Sequence, residues 1–265
     1  MLSKHIDFKG MTNLRDLGGM TNVFEKKIKS NLLFRSDHLH NATQADMEKL
    51  KKLGVRYILD LRNLEERTEQ PDQKIEGITY IPMSLSPERN AGIAKDKKSR
   101  EELQKDAIKK ASADPKFFFY EMSGYYADYA TVPYTLHQMH NFFQTLLQTN
   151  GGVLWHCAGG ILTVLLCEVL QIPKKDIEAD YLATNLYKQK EADAEIINIQ
   201  KILPPDCPPD VAVYMTKYTW LAHIEYLQHF YNLIEENHGS IQNFLRNAVG
   251  LTEDEENALR NKYLI

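Results

Sequence analysis

The run Gly151-Gly-Val-Leu-Trp-His-Cys-Ala-Gly-Gly160, leading directly into Ile161-Leu-Thr-Val-Leu-Leu-Cys-Glu-Val-Leu170, constrains the fold more than any other part of the chain. Val153-Leu154-Trp155 is a short apolar run with the character of a buried strand, and residues 161–170 read as an apolar helix. Between them the strand ends at His156-Cys157 and the chain passes Ala158 and two glycines, Gly159 and Gly160. A cysteine between a strand end and a helix N-terminus stands where backbone N–H groups converge and the helix dipole favours a thiolate. A phosphate is favoured at the same place. Free cysteine is equally common as a small buried hydrophobe; that is the expectation for Cys167 inside the helix, while Cys207, in Pro204-Pro-Asp-Cys-Pro-Pro209, reads as an ordinary loop thiol.

Neighbouring segments extend the pattern. Leu32-Leu-Phe-Arg-Ser36 reads as a strand. Thr43 and Asp46 form a capping-box-like helix start, Met47, Leu50 and Leu53 give the helical stripe, and Gly54 suits the position just past the helix end. Val55-Arg-Tyr-Ile-Leu-Asp-Leu61 follows as a strand, and Ile78-Thr-Tyr-Ile81 as another. Helix-to-strand and strand-to-helix alternation predicts an α/β fold: a central, largely parallel twisted sheet flanked by helices.

Residues 86–115 change character, being rich in lysine and glutamate, and read as a solvated helix or a mobile excursion. The aromatic-dense stretch that follows, Phe117-Phe-Phe-Tyr120 and Tyr125-Tyr126, is either a helix packing its rings into the core or a lid over the site; a lid-like insertion would cover about 86–130. Leu136, Met139, Phe143 and Leu147 recur at helical spacing, and beyond Pro173 the chain reads as mostly helical. Helices are expected over Asp176 to Gln189 and Ala222 to Glu236, with Ser240 and Thr252 as N-caps of two short terminal ones.

The 265 residues carry 26% charged side chains and a net charge of −4, with no basic stripe, so a nucleic-acid partner is not expected. Three cysteines in differing contexts make neither a disulfide framework nor a metal-ligand pattern, and no cofactor is implied. The first ten residues lack an apolar leader core and no run reaches membrane-spanning length, so the expectation is a cytoplasmic protein, or one exported without a cleaved signal. Without repeats, low-complexity tracts or linkers, residues 1–265 read as one domain; the oligomeric state is open.

The strand–His-Cys–glycine–helix loop resembles the active-site loop of the cysteine-dependent phosphatases, the protein tyrosine phosphatase superfamily. Further signatures follow in order: Asn13-Leu-Arg-Asp-Leu-Gly-Gly19, Phe34-Arg-Ser36, Asp60-Leu-Arg62 with Glu65, Asp180-Tyr-Leu-Ala-Thr-Asn185, and Gly250-Leu-Thr. Together they resemble a bacterial tyrosine and dual-specificity phosphatase family whose members act on phosphotyrosine and, in several cases, on phosphoserine, phosphothreonine or phosphoinositides. The resemblance implies a phosphatase-like fold, Cys157 as nucleophile, and Ala158, Gly159 and Gly160 as phosphate-binding backbone. It implies a phosphorylated protein or phosphoinositide as substrate.

Supporting roles are open between two readings. Arg15 either contacts substrate or, with Asp16, is a surface charge in a glycine turn. Asp60 and Arg62 share a face by strand alternation, so they are a structural ion pair or ligand contacts. His156 either tunes the nucleophile, as in the family, or is a satisfied core histidine.

The loop also departs from the family. Six residues after Cys157, where the family places arginine, stands Thr163, and no arginine lies between Cys157 and Lys174. Inserting the family's Lys-Asp-Arg-Thr-Gly run after Gly160 would restore the pattern. That run supplies a guanidinium, a general acid and a further positive charge, so the chain as it stands reads as a phosphatase with impaired catalysis or as a non-catalytic phosphate-binding or scaffold protein. An unrelated α/β protein with a buried cysteine is the remaining alternative.

Overall fold

The computed structural model describes residues 2–87, 100–156 and 160–265. Among them, six strands form one sheet: β1 (Lys4–His5), β2 (Arg15–Asp16), β3 (Leu33–Ser36), β4 (Val55–Asp60), β5 (Thr79–Pro82) and β6 (Gly152–His156), in the order β1-β2-β3-β6-β4-β5. The strands from β3 across β6 and β4 to β5 are parallel, while β2 pairs antiparallel with both β1 and β3. The expected α/β sheet is therefore present, with an antiparallel edge. β6 sits between β3 and β4 and is buried along its whole length. Burial on both faces is why it reads as a continuous apolar run rather than as alternation.

The helix α1 (Gln44–Lys52) starts at the expected capping box: the Thr43 hydroxyl accepts from the Asp46 N–H, and the Asp46 carboxylate accepts from the Thr43 N–H. Gly54, at φ +83°, takes the left-handed position that ends it and turns the chain into β4. The short α2 (Leu64–Glu69) carries its own capping box from Asn63 and Glu66. After it come α3 (Arg100–Ala113), α4 (Phe117–Thr131) and α5 (Pro133–Gln148). Much of the excursion expected from residue 86 falls on residues 88–99, outside the described residues; its second half is α3. In α4 the aromatics turn inward: Tyr126 is buried with its hydroxyl 2.7 Å from that of Tyr181, and Phe119 packs on Tyr218 and Tyr226. Tyr120 and Tyr125 remain at the surface.

The last third is helical: α6 (Ile161–Val169), α7 (Lys174–Gln200), α8 (Val211–Trp220), α9 (Ile224–His238), α10 (Ile241–Asn243) and α11 (Glu253–Tyr263), with a π-helical stretch Phe244–Ala248 before α11. Ser240 and Thr252 cap α10 and α11 as expected. The helix expected over 176–189 is longer, running from Lys174 to Gln200. The charged stretch from Lys188 to Glu195 hides the continuation. What sustains it is a satellite core in which Ala212, Val211 and Met215 of α8 pack with Ile108 and Ala111 of α3 and Ile199 of α7. No described helix is long and apolar enough to cross a membrane.

Two cores flank the sheet, and the split follows strand alternation. Leu33, Leu59, Val153 and Trp155 face the large core with α5, α6, α9 and α11. Phe34, Ile58 and Leu154 face the smaller one with Leu50 of α1. Each charged residue near the end of the central strands is assigned to one face by the same alternation.

Candidate functional site

The site lies at the C-terminal ends of β3, β4 and β6, where α6 begins. β6 ends at His156 and α6 starts at Ile161, with Gly160 as its N-cap at φ +79°. Cys157, Ala158 and Gly159, expected as nucleophile and phosphate-binding backbone, lie outside the described residues. No side chain among the described residues caps the helix, and its first hydrogen bond runs from the Val164 N–H to the Gly160 carbonyl (3.1 Å). The N–H groups of Ile161, Leu162 and Thr163 therefore have no partner within the helix and point toward the loop, where the dipole favours an anion. Thr163, standing where the family places arginine, is buried in the first turn and accepts a hydrogen bond from Trp155 Nε1 (3.0 Å). That bond ties the helix start to the strand it follows.

On the α1 face of the sheet, Asp60, Arg62, Asp72 and His156 form one buried cluster. Arg62 donates side-on to Asp60, from Nε to Oδ1 (2.9 Å) and from Nη2 to Oδ2 (2.7 Å), and its Nη2 also reaches Asp72 Oδ1 (2.8 Å). His156 Nε2 lies 2.8 Å from Asp72 Oδ2, while its Nδ1 has no hydrogen-bond partner among the described residues and sits 3.8 Å from Asp60 Oδ1. Burial opposes ionisation of Asp72, but the hydrogen bond and charge of His156, the Arg62 guanidinium and the Leu39 N–H outweigh it and hold the carboxyl below its ordinary range. Asp72 thus accepts, and Nε2 carries the hydrogen. Asp60, Asp72 and His156 are spaced as metal ligands can be. Yet the guanidinium already bridges both carboxylates, which makes the cluster a hydrogen-bonded ion-pair network. The structure therefore brings together His156, Asp60 and Arg62 as neighbours, with Asp60–Arg62 in the ion-pair form of the two readings.

On the opposite face, Arg15 and Arg35 converge on a single carboxylate. Arg15 Nη1 donates to Asp180 Oδ1 (3.0 Å) and to the Asp180 carbonyl (2.6 Å), and its Nη2 to Thr184 Oγ1 (3.0 Å). Arg35 Nη1 donates to Asp180 Oδ2 (3.2 Å). The Ser3 hydroxyl also donates to Asp180. Arg15 and Asp16 are both buried, which corrects the reading of this pair as surface charges. The reason is the β2–β3 pairing, which sets Arg15 beside Arg35 and turns both toward α7.

Asp72, Arg35 and Asp180 were not among the expected site residues. A signal existed for two of them: an arginine inside the apolar run Leu32–Ser36, and an aspartate opening Asp180–Asn185, both within the quoted signatures. For Asp72 no local pattern pointed to the site. Cys167 is a core residue as expected, and burial pushes its thiol up. Cys207 is half-buried in its loop, with its sulfur 3.1 Å from the Ser112 hydroxyl.

Comparison with known proteins adds the family. The sequence model described as "Tyrosine phosphatase family" matches residues 6–265. A protein of Cupriavidus necator named "Putative tyrosine-protein phosphatase" is 24% identical over 262 residues, covering 97% of this chain and 87% of its own length.

Proposed function

The chain belongs to the tyrosine phosphatase family, and from that premise we propose that it hydrolyses phosphate monoesters through Cys157, at a rate held down by its short loop. The observation that carries the reading is the helix start. α6 opens five residues after a buried strand ends at His156, with no side-chain cap among the described residues and with its first N–H groups unused inside the helix. A phosphate held there meets the positive end of the dipole.

In the proposed chemistry the Cys157 thiolate attacks phosphorus, the P–O bond to the leaving group breaks, and the departing oxygen takes a proton. Water then attacks the phosphocysteine and releases phosphate and thiolate. Backbone N–H groups of Ala158, Gly159 and Gly160 serve the non-bridging oxygens. Cys167 offers no substitute, being buried with its thiol pushed up. His156 is a positioning residue: Asp72 fixes its ring and Arg62 fixes Asp72, so the strand end preceding Cys157 is held from the α1 face. Arg15 and Asp60 support that end from within their clusters. The substrate class is a phosphorylated protein or a phosphoinositide, and residues 1–265 act as one domain.

The missing run sets the rate. Loss of one preorganised oxyanion donor costs about 10²–10³ in rate, and here a guanidinium and a general acid are absent together. The test is aryl phosphate hydrolysis by three proteins: the chain as it is, the chain with Lys-Asp-Arg-Thr-Gly inserted after Gly160, and that variant with Cys157→Ser. The expected order is little or no turnover, strong turnover and none. Brisk turnover by the uninserted chain that Cys157→Ser abolishes would refute the impairment. No turnover by the inserted chain would refute the phosphatase reading.

A further inference from the structure

We propose that Arg35, reaching from β3 to the start of α6, forms an oxyanion site that binds a phosphate group in the absence of a loop arginine. The proposal deepens the phosphatase reading, since the phosphate it would bind is that of the substrate or product.

Three observations converge. The Arg35 guanidinium lies against Gly160: a Cβ placed there would stand 2.8 Å from Nη2, 3.3 Å from Nη1 and 3.4 Å from Cζ. Glycine is thus required at the N-cap both for its φ of +79° and for the approach of this side chain. The charge beside the N–H groups of Ile161, Leu162 and Thr163, which have no partner within the helix, is therefore supplied by a neighbouring strand, not by the loop.

Second, the fork is half used. The Arg35 side chain is 9% exposed, and Nη1 makes its one hydrogen bond among the described residues, to Asp180. The Nε–Nη2 edge has no partner there. On Arg62 the same edge grips Asp60 side-on. A tetrahedral oxyanion takes such an edge in the same bidentate way.

Third, the face carries surplus charge. Two buried guanidinium groups share the carboxylate of Asp180, and Arg15 Nε is buried without a partner among the described residues. Burial and the nearby Arg35 charge push Arg15 down to about 9. Arginine does not give up its proton near neutral pH, so the surplus is relieved by an anion, and the α6 N-terminus is where the fold adds further attraction for one.

The experiment uses the full chain carrying Cys157→Ser, titrated with inorganic phosphate and separately with O-phosphotyrosine at constant ionic strength, with binding read by calorimetry. The same titrations follow with Arg35→Met, Arg35→Lys and Gly160→Ala added. Saturable binding that weakens about tenfold or more in Arg35→Met, less in Arg35→Lys, is the expected result. Weakening for both ligands marks a site for the phosphate group itself, and weakening for O-phosphotyrosine alone marks a site used only by monoesters; either supports the proposal. Gly160→Ala, which displaces the guanidinium without removing its charge, should weaken binding as well and decides the matter if Arg35→Met does not fold. Undiminished binding in folded Arg35→Met, or no saturable binding before that change, overturns the proposal. These outcomes are separate from turnover by the loop-restored chain: a phosphatase that ignores Arg35 and a phosphate binder that does not hydrolyse give different pairs of results.

Discussion

The two faces of the central strand end are built from the same residue types in opposite proportion. On the α1 face two carboxylates, Asp60 and Asp72, share the guanidinium of Arg62 and are completed by His156. On the α7 face two guanidinium groups, Arg15 and Arg35, share the carboxylate of Asp180. In the first network the guanidinium is fully engaged: Arg62 spends its side-on edge on Asp60, its Nη2 also on Asp72, and its Nη1 on the Gln70 carbonyl (2.7 Å). The second leaves a positive charge and the side-on edge of Arg35 without a partner among the described residues. A buried network whose guanidinium spends its donors on two carboxylates and a carbonyl serves to hold a backbone in place. One left with surplus charge beside a helix N-terminus is arranged to receive an anion. On the proposed reading, the α1 face positions the strand end and the α7 face binds the phosphate.

Breaking the first network should have the largest effect. Arg62→Ala leaves two buried carboxylates facing each other and is expected to cost about 3–5 kcal/mol in urea unfolding, whereas Arg62→Lys, lacking the planar fork, should recover only part. A loss under 1 kcal/mol would mean that water or rearrangement solvates the pair, and the contrast between the faces would fail.

Asp180→Asn is the matching lesion on the other face. It removes the only carboxylate facing Arg15 and Arg35 among the described residues but keeps an acceptor, so about 2–4 kcal/mol is expected. Added phosphate should then raise the melting temperature of this variant more than that of the unsubstituted chain. Arg62→Ala should show no such rescue, and equal rescue of both would erase the distinction.

The acid limb of stability separates the faces further. Asp72 is held below its ordinary value of 3.8, so folding stabilises the ionised form. That contribution is fully present above about 3.8 and is lost as the pH falls through the lower, folded-state value. Urea midpoints measured down the acid range should fall there, and Asp72→Asn should flatten that part of the profile. An unchanged slope in Asp72→Asn would place the acid sensitivity elsewhere.

The smallest effect is reserved for a neutral contact near the surplus charge. Tyr181→Phe removes the bond to the Tyr126 hydroxyl and should cost about 1 kcal/mol while leaving the acid profile as it is. A much larger loss would show that the phenols, and not only Asp180, stabilise the Arg35 guanidinium.

The sequence by itself determined the elements that frame the site. The run Gly152–Trp155 is apolar because β6 is buried on both faces, the caps at Thr43 and Thr252 act within four residues, and the start of α6 follows from Gly160 and the apolar run after it. All of these are local or periodic, and local chemistry is written in neighbouring letters. Only the tertiary structure decided which charges meet. His156 finds Asp72 across 84 positions of chain, and Arg15 finds Asp180 across 165. Asp60 and Arg62, two residues apart, were legible as a pair, whereas Asp72 carried no mark of its role. The length of α7 was hidden for the same reason, because its second half is held by α3 and α8 rather than by its own pattern. Periodicity reports that a side chain is turned inward. Which partner awaits it depends on strand order and helix placement, which are settled only when the whole chain has packed.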